Sequence, residues 1–482
     1  MELAFGVLAV GLTLSALVAW LVDRAPISFP IIFLALGVLL GGPTRLLHIE
    51  ATNQVLQLVG TVTLMLVLFM DAVNLDTEHL RREWLVPALT LGPGTIAVIL
   101  IVGGVSLALL HFSPLSALLL GAVLASTDAV LMRDLTRDAR VPLAVRRALS
   151  VEAGTNDVIV LPVVLVLIAV GTSEGRSAGG WVLFGVELFV LSPLVGGAVG
   201  AIGAWLMGRV DARFGVRREY QSLYGLGLVF GSYAAAQIVG GDGFLAAFFA
   251  GLAISVFDQT LCDCFLEFGQ AIAEIAMLLA FMLLGALLVT QVGMVPLLPA
   301  LALAAVTLLV ARPVVTWLLL GWRSLAVSRA ARLFIAWFGP RGLTTLLLAL
   351  LAVNAGVPGS GAVLAAAGVV VIISVIVHGA TAAPLAAAYE RSAHGRTMPE
   401  ERVGSAGGLF EESPDDIPRT EVGELARRLE GPDPPVVVDV RTRSQFGRDP
   451  AGVPGAVRVA PDEIEQWGRT ANPDRDYLLY CT

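Results

Sequence analysis

Two carboxylates and a carboxamide stand inside a stretch apolar enough to cross a membrane: Glu152-Ala153-Gly154-Thr155-Asn156-Asp157, followed by the apolar run Val158 to Val170. An ionised group at bilayer depth costs at least about 2.5–3.5 kcal/mol, so groups placed there need a partner or a task. The task open to such a carboxylate is to hold a proton or a cation. On a helix, Glu152 and Asn156 share one face at i and i+4, whereas Asp157 is turned by about 100° from Glu152 and lies roughly 7.5 Å further along the axis. Asp157 can therefore face a cavity and alternate between proton and cation while Glu152 pairs sideways. The natural partner of Glu152 is Arg312, the one basic residue of the apolar run Leu308-Leu309-Val310-Ala311-Arg312-Pro313, because a buried guanidinium also needs a carboxylate. An ion pair holding two helices together is the preferred reading of these two residues.

Two further places break the apolar rule. In Ala125-Ser126-Thr127-Asp128-Ala129, consecutive hydroxyl and carboxylate groups compete for backbone hydrogen bonds and favour an unwound stretch. In Phe338-Gly339-Pro340-Arg341-Gly342, Pro340 removes a donor and the two glycines loosen the helix. A helix broken at membrane depth is tolerated only where it lines a cavity or is covered by protein. Asp128 either anchors the broken-helix termini, the preferred reading, or contributes to an ion site. Asp71, in Leu68-Phe69-Met70-Asp71, is a loop-edge charge, a secondary site or a gate. His378 reads as a satisfied core residue in preference to a proton sensor. Glu267 and Glu274 share a helix face without a sharp role, and Cys262-Asp263-Cys264 lacks the second pair that a tetrahedral metal site requires.

The elements that must position these groups follow from composition. Hydrophobic residues make up 56% of the 482 and the mean hydropathy is +0.82, values that ordinary soluble domains do not reach. Hydropathy with breaks at Pro, Gly and Arg clusters predicts thirteen spans near 3–22, 28–41, 54–74, 84–111, 113–134, 144–173, 178–209, 219–239, 242–257, 265–290, 294–320, 329–354 and 358–388. The first, Leu3 to Val22, has neither a basic leader nor a small-residue cleavage site, and is read as a retained helix. Arginines concentrate after odd-numbered spans, fifteen against two (Arg45 and Arg176) after even-numbered ones. Because basic loops stay cytoplasmic, the N-terminus is expected outside and the C-terminal tail in the cytoplasm of a multi-pass cell-membrane protein.

Ser126 and Gly339 lie 213 residues and seven spans apart. Corresponding broken helices in two halves of opposite orientation point to an inverted-repeat transporter, whose half-helix ends meet near the midplane. The expected fold is thus an all-α polytopic membrane protein of about 13 transmembrane helices with inverted repeats and two broken helices, ending in a small α/β tail. The domains are expected at 1–390 (membrane), 391–418 (a linker rich in Gly, Pro, Ser and Glu) and 419–482. In the tail, Glu421 to Leu429 reads as a short helix, and Val436-Val437-Val438 and Tyr477 to Tyr480 read as strands. From Glu390 onward 18 acidic residues face 12 arginines, a net −6, against −2 over the rest of the chain. That acidic balance argues against nucleic acid as a partner.

These motifs together resemble the monovalent cation/proton antiporters of the NhaP type, within the sodium/hydrogen exchanger family, over residues 5–390. The resemblance rests on Ser126-Thr127-Asp128, on Glu152 with Asn156-Asp157, on Arg312, and on Gly339-Pro340-Arg341-Gly342. It implies a homodimer in membrane lipid and exchange of a monovalent cation, Na⁺, K⁺ or Li⁺, for protons in pH and cation homeostasis. The Asn-Asp pair implies electroneutral stoichiometry. Carried over, Asp157 is the carboxylate that transiently binds cation or proton, Asn156 stabilises it, Thr127 offers oxygen, Asp71 is a nearby acidic ligand, and Glu152 with Arg312 bridges helices. No cofactor is implied. Ala153 stands where many members have a serine oxygen, which bears on the ligand set, and Ala129 where a proline is usual.

The tail from Thr420 resembles the first part of a rhodanese domain through Val438-Asp439-Val440-Arg441, Gly452-Val453-Pro454-Gly455-Ala456 and Tyr480-Cys481. In that family the cysteine carries a persulfide cradled by the following loop. Here the chain stops one residue after Cys481 and Gly452 replaces the usual histidine, so the domain is expected to be incomplete and without sulfurtransferase activity. The alternatives to a transporter are a membrane-anchored sulfurtransferase and a sulfur-compound permease using this tail. An anchor needs neither broken helices nor a buried Asp157.

Overall fold

The structure, a computed structural model, describes Thr13 and residues 29–44, 46, 49–75, 85–138, 140–172, 176–257, 259–321, 328–393, 420, 422–431, 434–441, 446, 451–460, 463–473 and 475–480. The predicted first span, apart from Thr13, lies outside the described residues, as do 394–418 of the expected linker and Cys481. Among the described residues nine helices are long and apolar enough to cross a membrane, and three shorter apolar helices accompany them.

In chain order the helices are α1 (Phe29–Gly41), α2 (Gln54–Val73), α3 (Pro87–Leu110), α4 (Pro114–Ala125), α5 (Leu143–Thr172), α6 (Ala178–Phe214), α7 (Arg218–Val239), α8 (Gly243–Phe257), α9 (Gln259–Gln291), α10 (Leu297–Leu319), α11 (Arg329–Trp337), α12 (Leu343–Asn354) and α13 (Ser360–Ala393). They supply predicted spans two to thirteen, with α11 and α12 as the two halves of the twelfth. Several run past their expected ends: α9 starts at Gln259 and α13 continues to Ala393. Charged and polar residues end a hydropathy window before they end a helix.

Three spans contain a π-helical turn, Thr90–Gly94, Glu187–Leu191 and Thr307–Ala311, and each holds or runs into a proline: Pro93, Pro193 or Pro313. A proline donates no hydrogen bond and its ring crowds the preceding turn, which the backbone relieves by widening. The first and third of these turns lie in α3 and α10, seven spans apart, and Pro162 in α5 and Pro384 in α13 make a second pair at the same separation. With the broken fifth and twelfth spans, these are the correspondences of an inverted repeat.

By contact the chain divides into two compact units. One comprises Met1–Arg133, Ser150–Leu319 and Ala336–Thr381, and holds both helix breaks and all the intramembrane carboxylates discussed above. Its helices meet through small residues: a Cβ on Gly37 of α1 would fall 2.0 Å from the Met282 carbonyl oxygen of α9, and one on Gly196 of α6 only 2.1 Å from that of Ala246 on α8. Such approaches let backbones touch, which matters in a solvent where lipid tails remove the hydrophobic drive between helices.

The other unit comprises Asp134–Leu149, Leu320–Ile335 and Ala382–Thr482. Within it, α14 (Val422–Leu429) and α15 (Ile464–Thr470) accompany a three-stranded sheet of β1 (Val436–Asp439), β2 (Val457–Arg458) and β3 (Tyr477–Tyr480) in the order β2-β1-β3. Both pairings are parallel, with Val438 opposite Val457 and Val436 opposite Tyr477. A central parallel strand is covered on its faces, and Val438, Val440 and Val459 are buried with Ile464, Trp467 and Tyr477 packed on them. The sequence pattern anticipates α14, β1 and β3. Two-residue β2 is too short to show a period.

Candidate ion site

The fifth span stops being helical at Ala125, and Ser126 takes an extended conformation (φ −59°, ψ 138°). The twelfth stops at Trp337 and resumes at Leu343. The two breaks are tied to each other: the Asp128 N–H donates to the Pro340 carbonyl at 2.9 Å. The Asp128 carboxylate then accepts from three backbone amides, Oδ1 from Val130 (2.8 Å) and Leu131 (3.4 Å), and Oδ2 from Leu343 at the start of α12 (2.7 Å). One anion thus satisfies donors left over at the starts of two helical segments, where the backbone dipole favours negative charge. Arg341 supplies the reciprocal bond. Its guanidinium donates to the carbonyls of Ala125 (3.1 Å) and Ser126 (2.7 Å) at the end of α4, and its own N–H donates to Ser374 Oγ at 2.7 Å.

Arg312 does the same for the end of α11. It pairs with Glu152 of α5 and donates to the Phe338 carbonyl at 2.6 Å. The two glycines of the second break follow from these contacts. A Cβ on Gly339 would lie 1.8 Å from Arg312 Nε, and one on Gly342 1.9 Å from Asp128 Oδ2. The expected Glu152–Arg312 pairing, made from residue types alone, coincides with the geometry, and both residues are buried.

Asp157 is 2% exposed. Ser126 Oγ donates to its Oδ1 at 2.6 Å, and the hydroxyl of Thr344, in the first turn of α12, lies beside the carboxylate. Beside it, Asn156 is also buried, and its Oδ1 has no hydrogen-bond partner among the described residues. Asn156, Glu152, Arg312, Arg341, Thr90 and Thr95 line a polar cavity of about 10 Å³, the room of one water molecule. Among the described residues the buried hydroxyl of Thr127 has no partner, and neither has the buried Oδ2 of Asp71. Asp71 lies where α2 passes α5 closely: a Cβ on Gly154 would be 3.7 Å from the Asp71 carbonyl oxygen.

The structure therefore brings Ser126, Asp128, Glu152, Asn156, Asp157, Arg312, Gly339, Pro340, Arg341 and Gly342 to one crossing, with Thr127 in the first break and Asp71 one helix away. Sequence reasoning took Ser126 and Arg341 only as marks of helix breakage and missed Thr344 and Ser374. A hydroxyl just past Gly342 was the available signal for Thr344. Both ring nitrogens of His378 are engaged, Nδ1 with Ser374 and Nε2 with the Trp337 carbonyl at 3.2 Å. Glu274 meets Arg133 at 3.9 Å, whereas the side chains of Glu267, Cys262 and Cys264 lie outside the described residues.

In the tail, Arg441 binds Asp439 bidentately, Nε to Oδ1 at 2.9 Å and Nη2 to Oδ2 at 2.7 Å. Burial opposes ionisation of Asp439, but the hydrogen bonds from Arg441 outweigh it and hold the carboxyl at about 2.

Two broken spans crossing at a buried carboxylate, in helices related by an inverted repeat, define a membrane transporter. Residues 12–388 match the family described as "Sodium/hydrogen exchanger, transmembrane", and the chain belongs to that family. It is 31% identical over 388 residues to the K⁺/H⁺ antiporter NhaP of Alkalimonas amylolytica, covering 79% of this chain and 66% of that protein. It is also 31% identical over 384 residues to the K⁺/H⁺ antiporter NhaP2 of Shewanella oneidensis, covering 77% and 65%. The matched region thus spans just under two thirds of these relatives' length. The fold is that of the sodium proton antiporter MjNhaP1 from Methanocaldococcus jannaschii (TM-score 0.67, 22% identity, 81% of this chain and 100% of that chain).

Proposed function

We propose that the chain exchanges a monovalent cation for protons across the cell membrane, with Asp157 as the carboxylate that carries either. The observation that carries this reading is the position of Asp157 at the crossing of the two broken spans, out of solvent and hydrogen-bonded by Ser126 of the first. Charge bookkeeping supports one-for-one, electroneutral exchange. Glu152 and Arg312 cancel, Asp128 and Arg341 offset one another across the crossing, and Asn156 is neutral. With Asp71 read as an auxiliary ligand whose protonation does not change during the cycle, one carboxylate remains to be neutralised by one proton or one cation, and the two compete for it. Asp128, with its oxygens committed to backbone amides, serves as the anchor of the crossing, with a contribution to the ion through its backbone the remaining alternative. Unpartnered oxygens on Thr127, Asn156 and Asp71 complete a hard-oxygen environment of the kind that alkali cations take.

The relatives' names make K⁺ the first cation to test, ahead of Na⁺ and Li⁺. In this reading the protein serves pH and cation homeostasis as a homodimer in the lipid bilayer, N-terminus outside and tail in the cytoplasm, on the strength of the arginine asymmetry. The tail is read as rhodanese-like on its parallel strands and the Asp439–Arg441 pair, apart from the transport chemistry. Proton flux in everted vesicles, driven by K⁺, Na⁺ and Li⁺ in turn, tests the proposal. Cation-dependent flux is expected, and its absence with all three at normal membrane levels would refute it.

A further inference from the structure

Two hydroxyls to which the exchange scheme above gives no part in binding the cation stand at Asp157: Ser126 Oγ, 2.6 Å from its Oδ1, and the hydroxyl of Thr344 beside the carboxylate. They come from the two different broken spans, one from the end of α4 and one from the start of α12. Neither is incidental to chain geometry. The Ser126 carbonyl is held by Arg341 at 2.7 Å, and Leu343, next to Thr344, is held through its N–H by Asp128, also at 2.7 Å. The reciprocal Asp128 and Arg341 bonds therefore fix both backbones so that both side chains meet one carboxylate. Ser126 is fully buried and Thr344 is 5% exposed, so no bulk water competes for their protons.

A hydroxyl has one donor and two lone pairs, and turning about its C–O bond changes which of them faces a neighbour without moving the oxygen. We propose that Ser126 and Thr344 are cation-specificity residues of the exchange site. Ser126 donates a hydrogen bond to Asp157 when no cation is held, with the Thr344 hydroxyl beside it, and each turns a lone pair to the cation when one arrives. A donor pointing at the carboxylate would otherwise oppose an incoming cation, since its proton carries partial positive charge. Rotation removes that repulsion and adds two oxygens, one from each half of the repeat, to the ion's shell. The orphaned oxygen of Thr127 stands in the same break as Ser126 and needs no such rotation, because no hydrogen bond holds it. The two hydroxyls thus couple cation arrival to both broken helices. The proposal rests on the exchange reading and adds residues to it.

The test is transport by the full chain in proteoliposomes, with apparent KM and Vmax measured for K⁺, Na⁺ and Li⁺. Ser126→Ala and Thr344→Val each remove one oxygen ligand, and each is expected to raise the KM of the transported cation about fivefold, the scale of one lost polar interaction, with a smaller effect on Vmax. Ser126→Thr, which keeps the hydroxyl, is expected to restore the KM. The relative KM values of the three cations should change in the Ala and Val variants. Cation-dependent shifts of the melting midpoint in detergent give a second readout and should need higher cation concentrations in the same two variants. If the hydroxyls only stitch helices together, the variants will melt earlier and keep the wild-type KM and cation order, and the proposal is then wrong. Wild-type protein with neither cation-driven flux nor a cation-dependent melting shift would instead remove the exchange reading, and this proposal with it.

Discussion

Two buried carboxylate–guanidinium pairs in this chain are made of the same chemical groups and do different things. Glu152 and Arg312 are 160 positions apart and join α5 to α10, with Arg312 reaching on to the end of α11. Asp439 and Arg441 are two positions apart and fix the end of β1, with Arg458 bonding to the carbonyl of Asp439 at 2.8 Å. A local pair needs little chain entropy to form, because its partners are never far apart. The distant pair can form only once several helices have assembled, so its charges stay matched only while that assembly holds. At bilayer depth an unmatched charge has no water to retreat to, and the distant pair therefore reports on packing as the local pair cannot.

The largest effect should come from the carboxylate that neither pair includes. Asp157→Asn keeps the shape and the capacity to accept a hydrogen bond, but carries neither a charge for a cation nor a titratable proton. Exchange in vesicles is expected to fall to the level of empty vesicles, with normal amounts of folded protein in the membrane. Substantial cation-driven flux by this variant would remove Asp157 from the centre of the mechanism. It would leave both ion pairs as they are.

Next in size is the long-range pair itself. Glu152→Gln and Arg312→Gln are each expected to destabilise the protein by about 3–5 kcal/mol, because each strands one buried charge. The double Gln variant should regain part of that loss, as a thermal denaturation series will show. If the double loss is the sum of the single ones, the two residues are not energetically coupled and the contrast with the local pair collapses. Gln in place of Arg312 also removes the Arg312 bond to the Phe338 carbonyl, so recovery should be partial.

The long-range pair is legible in the sequence because burial leaves few choices. One basic residue in an apolar span and one carboxylate in another must meet or go unpaired. The helix breaks were legible for a similar reason, since Gly339-Pro340-Arg341-Gly342 cannot continue a transmembrane helix. What could not be read was the crossing of the breaks. That Asp128 caps α12, that Arg341 caps α4, and that Gly339 and Gly342 yield space to Arg312 and Asp128 are facts of relative placement, and no periodicity encodes them. Thr344 was missed because a threonine in a helix also satisfies itself on its own backbone, as Thr155 does on the Val151 carbonyl at 2.5 Å. Strand β2 was missed because two residues carry no pattern.

The local pair is open to proton concentration. Asp439 is held at about 2 against an ordinary value of 3.8, so its folded-state value is depressed. The stabilisation is fully present above about pH 4 and is lost as pH falls through about 2, an expected loss of roughly 2 kcal/mol from the tail. Hydrogen exchange of the β1 amides in the full chain, corrected for intrinsic rates, should accelerate over that window. In Asp439→Asn the same amides should already exchange faster at neutral pH and show a flatter profile. A wild-type profile without acceleration between pH 4 and 2 would mean that the pair does not hold the strand.

The smallest expected effect belongs to a third pair, Arg146 with Glu463, which joins the first turns of α5 to the residue before α15. Its groups are the same again, but the Glu463 side chain is 29% exposed and that of Arg146 14%. Water screens such a pair, and measured values for partly exposed pairs cluster below about 1 kcal/mol. Arg146 also keeps a second bond from Nε to the Val141 carbonyl at 2.9 Å, so it is not stranded when Glu463 is removed. Glu463→Gln should therefore shift the melting midpoint within the error that separates replicate preparations, and raise protease cleavage of the tail slightly. Cation/proton exchange should be unchanged, since the hydrogen bond on Asp157 comes from Ser126, within the unit that holds both helix breaks. Loss of more than half the flux at unchanged membrane levels would show that the end of α5 that holds Arg146 takes part in the transport cycle. This pair would then belong with Glu152–Arg312, as a contact whose value depends on the whole assembly, and not with Asp439–Arg441.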